Sequence, residues 1–448
     1  MSLALAPLPR GAARLAPVLP AVAVIALLAL PVTPGGAEPA DVVSALMVVL
    51  CAIRLLRDRR RPLSPAAAVV LGLPVAGLAL AAMGAYSTAA GLTGLGRYLQ
   101  VFVLVPAAVL LLVRDRAGFR LLAWSFVGLA LWQGALGVHQ YLTRTGASYQ
   151  GEEIRAVGTF GAQDVMGMAE AVSLGLVCAV GIALGRVPVR QRVAAAGCAL
   201  VLLVPLAVSF SRGAWIATAL TCAVQLVLAG LRRALKVAAA VTAAAVILVG
   251  GFGVGTAMLQ ERIDSIAQVT DAPDQSVVDR YTLWASAVGM WRTHPVTGVG
   301  LKGFPEYRDG HATLALSSGA EVAGAGAAYR RQPLLSPHNM YLLVLSEQGL
   351  AGLLGLAGSW LALLVCGLRR LLRVRGRGPV PDCGLVACGL LVWLLTDFAY
   401  GDIGGPSTVL TAMGLGLAAW WALAGGERRP GAAPRDGAPA RAEEAVAR

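Results

Sequence analysis

Two short polar segments of this sequence carry residue types that suit group-transfer chemistry. Residues 336–339, Ser-Pro-His-Asn, run directly into a long apolar stretch, and residues 209–213, Ser-Phe-Ser-Arg-Gly, separate two others. A histidine, with an unperturbed pKa of about 6.5, can take a proton from a hydroxyl close to neutral pH. An arginine stays charged and binds phosphate oxygens with its planar fork. Together these residue types could move a proton and hold an anion.

The composition of the chain requires a lipid environment around these segments. Of 448 residues, 57% are hydrophobic and only 14% are charged, and the mean hydropathy is +0.71. An average soluble domain has about 25% charged residues, so a soluble enzyme is excluded. The net charge of +13 and the isoelectric point near 10.0 are attributed to arginines that fix membrane orientation rather than to nucleic-acid binding.

Apolar runs bounded by charged or turn residues predict the elements that position the two polar segments. The predicted fold class is all-α: a polytopic integral membrane protein with about twelve transmembrane helices and one large extracytoplasmic loop that contains short helices. The approximate limits of the spans are 16–33, 40–56, 66–87, 98–113, 121–142, 165–185, 193–209, 214–231, 235–257, 340–367, 383–400 and 407–424.

The positions of the arginines predict which ends of the helices face the cytoplasm. Arginine clusters follow the second, fourth, sixth, eighth and tenth spans, whereas the short loops on the opposite side are poor in cations. Because positive loops remain in the cytoplasm during insertion, both termini are predicted to be cytoplasmic. The first span is predicted to be retained, although Gly-Gly-Ala at 35–37 resembles a signal-peptide cleavage site.

This orientation divides the chain into five predicted parts. They are a cytoplasmic N-terminus (1–15), helices one to nine (16–257), the large extracytoplasmic loop (258–339), helices ten to twelve (340–424) and a disordered cytoplasmic tail (425–448).

The large loop and three shorter polar segments, at 143–164, 209–213 and 399–406, are expected to meet at one outer face. Within the loop, residues 281–293 have helical spacing, with Asp279 predicted as the N-cap and Arg280 at the start of the helix. Trp284, Val288 and Trp291 fall on one side of this helix. That side indicates either a helix lying in the membrane interface or one packed on the bundle.

Four motifs in order resemble the O-antigen ligase and polymerase superfamily over roughly residues 150–425. They are Arg-Ala-Val-Gly-Thr-Phe at 155–160, Ser-Phe-Ser-Arg-Gly-Ala-Trp at 209–215, the stretch from Arg280 to Phe304, and His338-Asn339 followed by Gly349 and Gly352. In the last motif, the glycines are expected to let another helix approach closely. Residues 161–164, Gly-Ala-Gln-Asp, depart from the asparagine-containing run that relatives often have at this position.

The resemblance implies an extracytoplasmic glycosyltransferase whose donor is a glycan linked to polyprenyl pyrophosphate. It implies His338 as general base or acceptor-orienting residue, and Arg212, Arg280 and Arg155 as ligands of the pyrophosphate. Asn339, Asp397 and Asp402 are candidates to orient the histidine or to bind a sugar hydroxyl. Glu170, Glu347 and Asp397 lie within apolar runs, where ionisable groups are usually functional. No metal and no cofactor are expected, because the arginines can carry the developing charge, and the relatives' mechanism implies inversion at the sugar.

Several alternatives remain open from the sequence. A polymerase that joins lipid-linked repeats uses the same donor chemistry as a ligase, and the long loop before His338 slightly favours the ligase. A secondary transporter of the bicarbonate type would show inverted repeats and midplane charges, and neither is evident. A structural protein would not need the arginine–histidine arrangement. The expected location is the bacterial inner membrane, as part of cell-envelope lipopolysaccharide synthesis, and the expected partners are a lipid-linked donor, a lipid or glycan acceptor and membrane lipid, without nucleic acid.

Overall fold

The computed structural model is a bundle of long apolar helices. It describes residues 15–32, 38–58, 63–149, 156–161, 164–232, 234–236, 239, 275–313, 316, 320–324, 327–332, 334–376, 378 and 380–424. The α-helices in these ranges are α1 (Leu19–Leu27), α2 (Pro39–Asp58), α3 (Pro65–Met83), α4 (Thr88–Leu99), α5 (Val105–Leu112), α6 (Arg116–Thr143), α7 (Gly167–Leu184), α8 (Val189–Ala207), α9 (Arg212–Ala229), α10 (Gln275–Thr293), α11 (Phe304–Tyr307), α12 (Met340–Arg375), α13 (Asp382–Asp397) and α14 (Thr408–Leu423).

The chain is a polytopic helical membrane protein, as the sequence predicted. Within the described residues, eight helical segments are long and apolar enough to cross a membrane, and two shorter apolar helices accompany them. The fourth predicted span starts too late, because Ser87 caps α4 and a π-helical segment at Gln100–Leu104 joins it to α5. The first predicted span is too long, since α1 ends at Leu27. Most of the ninth predicted span lies outside the described residues.

Helix α12 is broken at Gly349, and a segment from the large loop repairs the break. Gly349 has φ +61° and ψ −162°, so two helical hydrogen bonds are lost around it. Residues 294–301, here called the strap, replace them with four. The N–H groups of Val299 and Gly300 donate to the carbonyls of Ser346 and Glu347, and those of Leu350 and Ala351 donate to the carbonyls of Pro295 and Val296, at 2.9–3.0 Å. Irregular backbone at membrane depth needs such protein partners.

The two motif glycines of α12 therefore have different roles. At Gly349 an added Cβ would overlap the carbonyl oxygen of Val296, so the residue admits the strap rather than a helix, which corrects the sequence prediction. At Gly352 the expected helix contact is present: an added Cβ at Gly77 of α3 would lie 2.7 Å from the Cα of Gly352. Small residues at such crossings allow the backbones of membrane helices to pack closely.

A small antiparallel sheet is the one β element among the described residues, and the sequence analysis did not include it. Its strands are β1 (Ala147–Tyr149), β2 (Ala320–Gly324) and β3 (Ala327–Gln332), in the order β1-β2-β3. Strand β1 belongs to one predicted outer segment, and β2 and β3 belong to the large loop. The sheet therefore joins these two segments through backbone hydrogen bonds.

Helix α10 begins earlier than the sequence predicted, and the side that it buries is not the tryptophan side. It begins at Gln275, so Asp279 lies inside the helix and does not cap it, and Arg280 lies in the second turn. Its buried apolar residues are Leu283, Ala287 and Met290, whereas the tryptophan side is only half-buried. Because α10 packs against α12, the alternative of packing on the bundle is the one that the structure favours.

Two glutamines of α6 hold residues 156–161 against the bundle. The Gln140 side chain accepts hydrogen bonds from the N–H groups of Val157 and Gly158 at 3.0 and 2.8 Å. Two turns earlier in α6, the buried side chain of Gln133 accepts a hydrogen bond from the Thr159 N–H at 2.9 Å. It also donates a hydrogen bond to the carbonyl of Leu28 at 2.8 Å. This clamp satisfies the non-helical backbone of the segment.

The two ends of the bundle differ in their charged residues. The site end is defined by the starts of α9, α12 and α14 and the end of α13, where His338 lies. At the opposite end, Arg120 near the start of α6 makes a two-pronged ion pair with Asp382 at the start of α13, at 2.5 and 2.8 Å. There Arg375 also donates to the carbonyl of Val227 at the end of α9. The arginine-rich turns of the described chain thus lie away from the histidine.

Candidate active site

His338 stands at the head of α12 in a strained backbone conformation. Its φ is +48°, in the left-handed region that residues other than glycine seldom occupy. The side chain is exposed at the site end. The His338 N–H faces the Ser336 hydroxyl at 3.4 Å, and the preceding carbonyl, of Pro337, accepts a hydrogen bond from the Trp284 indole at 2.9 Å. Strain of this kind at an exposed polar residue is typical of functional sites.

The residues after His338 are attached to the connection between α13 and α14. Asn339 caps α12, since its side chain accepts from the Leu342 N–H at 3.0 Å, and its amide donates to the carbonyl of Ala399 at 3.0 Å. The N–H of Met340 points to the carbonyls of Phe398 and Gly401 at 2.8 and 3.0 Å. Both hydrogen-bonding groups of the Asn339 side chain are thereby used. The side chain of Asn339 thus fixes the start of α12 to this connection.

Residues 398–407, here called the hub loop, bring the other polar segments to the same place. Tyr400 packs beside Gly213 in the first turn of α9. The N–H of Ser407 donates to the buried carboxylate of Asp164 at 3.0 Å. Parts of all four polar segments singled out in the sequence therefore meet at the site end.

The charges of an arginine and a carboxylate act on the His338 imidazole. Desolvation by the surrounding protein lowers the pKa of His338 from its usual value, and the charge of Arg280 lowers this pKa further. The carboxylate of Asp402 acts in the opposite direction and raises the pKa of His338. His338 lies between Pro337, which Trp284 of α10 holds, and Met340, which the hub loop holds, and this place is here called the recess. In this recess the neutral imidazole, the form that accepts protons, is favoured.

Asp402 is the centre of a group of carboxylates at the site end. Besides His338, it interacts electrostatically with a set of acidic residues from α7, α12, α13 and the segment before α7: Asp164, Glu170, Glu347 and Asp397. Burial raises the pKa of Asp164, and the N–H of Ser407 opposes that shift. Among the described residues, no three His, Cys, Asp or Glu side chains are arranged to hold a metal ion. The arrangement therefore offers proton acceptors and hydroxyl-binding oxygens.

The predicted arginines fall into three situations. Arg280 lies in α10, and its charge acts on His338. Arg212 is the first residue of α9, directly after the cap Ser211, and it is exposed. The adjacent Gly213 contacts Tyr400 of the hub loop. Arg155 lies outside the described residues. Arg280 and Arg212 therefore both remain candidate anion ligands at the site end.

Three features of the site were missing from the sequence analysis. They are the hydrogen bond from Trp284 to Pro337, the hub loop as an anchor for α12, and the pairing of the strap with the broken helix. The pairing of the strap with the broken helix had a signal in the sequence. The strap contains glycines at 298 and 300, and Gly349 interrupts an otherwise helical apolar run. Gly298 has φ +68°, and an added Cβ would overlap the backbone at Glu347.

One of the comparisons with known proteins gives a match. A family model described as O-antigen ligase matches residues 197–357, about a third of the chain. The match includes Arg212, Arg280, the strap, His338, Asn339, Gly349 and Gly352, and it stops before Asp397 and Asp402. A search of curated proteins gives no match. Over this segment, from α8 to the middle of α12, the chain is similar to the O-antigen ligase family.

Proposed function

We propose that the protein transfers a glycan from a polyprenyl-pyrophosphate carrier to a hydroxyl of an acceptor, as an O-antigen ligase does. The observation that carries this proposal is the position of His338 at the head of a broken helix, held between α10 and the hub loop, where the charges of Arg280 and Asp402 act on it. A proton acceptor beside an anion ligand fits a reaction that removes a proton from a hydroxyl and releases a phosphate-type group.

In the proposed reaction, the acceptor oxygen attacks the anomeric carbon of the donor sugar. Its proton passes to the imidazole of His338 as the new glycosidic bond forms. The bond between the anomeric carbon and the pyrophosphate oxygen breaks, and the electron pair leaves with the lipid pyrophosphate. Arg280 and Arg212 stabilise the departing anion with bidentate hydrogen bonds, so no divalent cation is required. Attack opposite to the leaving group inverts the sugar, and Asp402 supports the positive charge on His338.

The experiment that tests this function is reconstitution of the purified protein with a lipid-linked oligosaccharide. One arm offers a lipid-core acceptor and a second offers only further lipid-linked repeats. We expect transfer to the lipid core, in excess EDTA as well as without it. Elongation of lipid-linked repeats alone would identify a polymerase, and activity that disappears in EDTA and returns with magnesium would contradict the charge-stabilising role of the arginines.

We further propose that the protein lies in the inner membrane of a bacterium, with both termini in the cytoplasm and the site end outside. The arginine-rich turns at the end opposite His338 support this orientation. Cysteines placed at Asp309, which is exposed in the large loop, and at Arg373, which is exposed near the end of α12, should differ in labelling. In intact cells, an impermeant thiol reagent should label the first position and not the second. The parent, with its seven native cysteines, gives the background, and the reverse pattern would overturn the orientation.

Arg280→Lys should weaken donor engagement although the charge is preserved. Lysine lacks the planar fork that binds two phosphate oxygens at once, so we expect the donor KM to rise by about 10-fold, the value of one charge-assisted hydrogen bond of roughly 1.4 kcal/mol. Steady-state transfer at varied donor concentration measures this change. Arg292→Lys, an exposed position in the last turn of α10, is the matched control and should behave as the parent. Equal donor KM values for both variants would remove Arg280 from the anion site.

A further inference from the structure

The side chain of Trp284 connects the helix that carries Arg280 to the backbone of His338. Trp284 lies one turn after Arg280 in α10, and its indole N–H donates to the carbonyl of Pro337 at 2.9 Å. The aromatic ring also packs edge-on against Tyr281, with 5.6 Å between ring centroids. This hydrogen bond joins two segments that are separated by more than fifty residues in the sequence.

The bonded carbonyl belongs to the peptide plane that immediately precedes the Cα of His338. The orientation of this plane sets the φ of His338, which is in the left-handed region at +48°. The N–H on the other side of the same plane faces the Ser336 hydroxyl. Beyond the histidine, the N–H of Met340 is held by the hub loop. A non-glycine residue keeps such a conformation only where its surroundings determine it on both sides.

We propose that Trp284 is a positioning residue that fixes the peptide plane before His338 and thereby directs the imidazole into the recess. The hydrogen bond to the carbonyl of Pro337 is the means. This inference rests on the proposed function for its catalytic consequence, and on the backbone geometry for its structural part. Trp284 touches no reacting atom in this role; it acts through His338.

The consequence for the imidazole follows from its surroundings. The charged groups that face His338 are Arg280 from α10 and Asp402 from the hub loop, and desolvation is the largest influence on its pKa. Without the hydrogen bond, the peptide plane can turn toward the extended conformation that most residues prefer. The ring then leaves the recess, becomes more hydrated and returns toward the pKa of a free histidine.

Helix α10 offers a matched control for the test. Trp291 lies two turns after Trp284 and is likewise half-buried, but its buried indole N–H has no hydrogen-bond partner among the described residues. Trp284→Phe and Trp291→Phe therefore remove the same atoms from one helix, and only the first removes a hydrogen bond. Both substitutions keep an aromatic ring, so both variants should fold and insert.

The first measurement needs no glycan substrate. Diethyl pyrocarbonate modifies neutral imidazoles, and mass spectrometry of each histidine-containing peptide across a pH series gives the pKa of His338, with His139, His294 and His311 as internal references. In Trp284→Phe the midpoint for His338 should move upward toward about 6.5, and modification should be faster. In Trp291→Phe the midpoint should equal that of the parent.

The second measurement separates turnover from binding. In Trp284→Phe, kcat for glycan transfer should fall by about 10–100-fold, while the donor KM stays within about twofold. Trp291→Phe should keep both values. Identical behaviour of the two tryptophan variants in both measurements would overturn the proposal. If the parent itself transfers no glycan, the proposed function fails, and the modification experiment still decides whether Trp284 positions His338.

Discussion

We expect His338→Ala to lose most glycan transfer, by about 10²–10⁴-fold in rate, while the protein still inserts and engages the donor. This is the range expected when a general base is removed from a positioned reaction. Donor engagement persists because the arginines, not the histidine, are proposed to hold the pyrophosphate. Insertion persists because the imidazole is exposed. The hydrogen bond between His338 and Ser336 is made by the backbone N–H of His338, which alanine keeps. Single-turnover transfer and equilibrium donor binding, measured separately, check the two parts.

His294→Ala serves as the control for this variant. His294 lies at the start of the strap, is exposed, and bonds to the neighbouring Thr293 hydroxyl, so its loss should leave transfer unchanged. A folded His338→Ala protein with parental transfer would exclude this histidine from the chemistry.

The same histidine should determine the pH dependence of transfer by the parent. Transfer should rise with pH as the imidazole loses its proton and becomes able to accept one from the acceptor. Since desolvation and Arg280 lower the pKa of His338, the midpoint of this rise in kcat/KM should lie below 6.5, the value from which it is shifted. Asp402 raises the pKa of His338, so Asp402→Asn should move the midpoint to still lower pH.

Gly349→Ala should be the most damaging of the conservative substitutions in the fold. An added methyl group would overlap the carbonyl oxygen of Val296 in the strap, and the backbone at φ +61° and ψ −162° is accessible almost only to glycine. The combined strain and overpacking should cost about 2–4 kcal/mol. The break would have to close into a regular helix, which would expel the strap and displace α10 with Arg280. We expect a lower yield of folded protein, a lower thermal unfolding midpoint and loss of transfer.

Gly96→Ala is the matched control for Gly349→Ala. Gly96 lies in α4 with no atom within 4 Å of an added Cβ, and alanine stabilises a helix relative to glycine. This variant should be as stable as the parent or slightly more stable. If Gly349→Ala unfolds at the same temperature as Gly96→Ala, the strap does not depend on the break.

The sequence predicted the features that depend on local pattern. Apolar runs indicated the helices because a span must be apolar over its whole length, and the glycine at 352 indicated a close helix contact. The positions of His338, Arg212 and Arg280 at helix ends were also readable, since polar residues interrupt the apolar pattern there.

The sequence did not predict the features that depend on contacts between distant segments. The start of α10 was misplaced because Asp279 has the residue type of a cap, yet the helix continues through it and packs on α12. The strand pairs of β1 and β2 join residues about 175 positions apart, and strands of three and five residues leave no periodic signal. The roles of Gly349 and Asn339 likewise depend on partners that no local window contains.

The left-handed turn at His338 also dictates an order of biogenesis. Trp284 and the strap are synthesised before α12, so they are available when this helix emerges from the ribosome. The carbonyls of Phe398 and Gly401, which hold the other side of the turn, are synthesised about sixty residues later, at the end of α13. A nascent chain therefore carries every residue of its histidine motif long before the histidine is set in place. His338 can therefore take its final conformation only after the end of α13 has been synthesised.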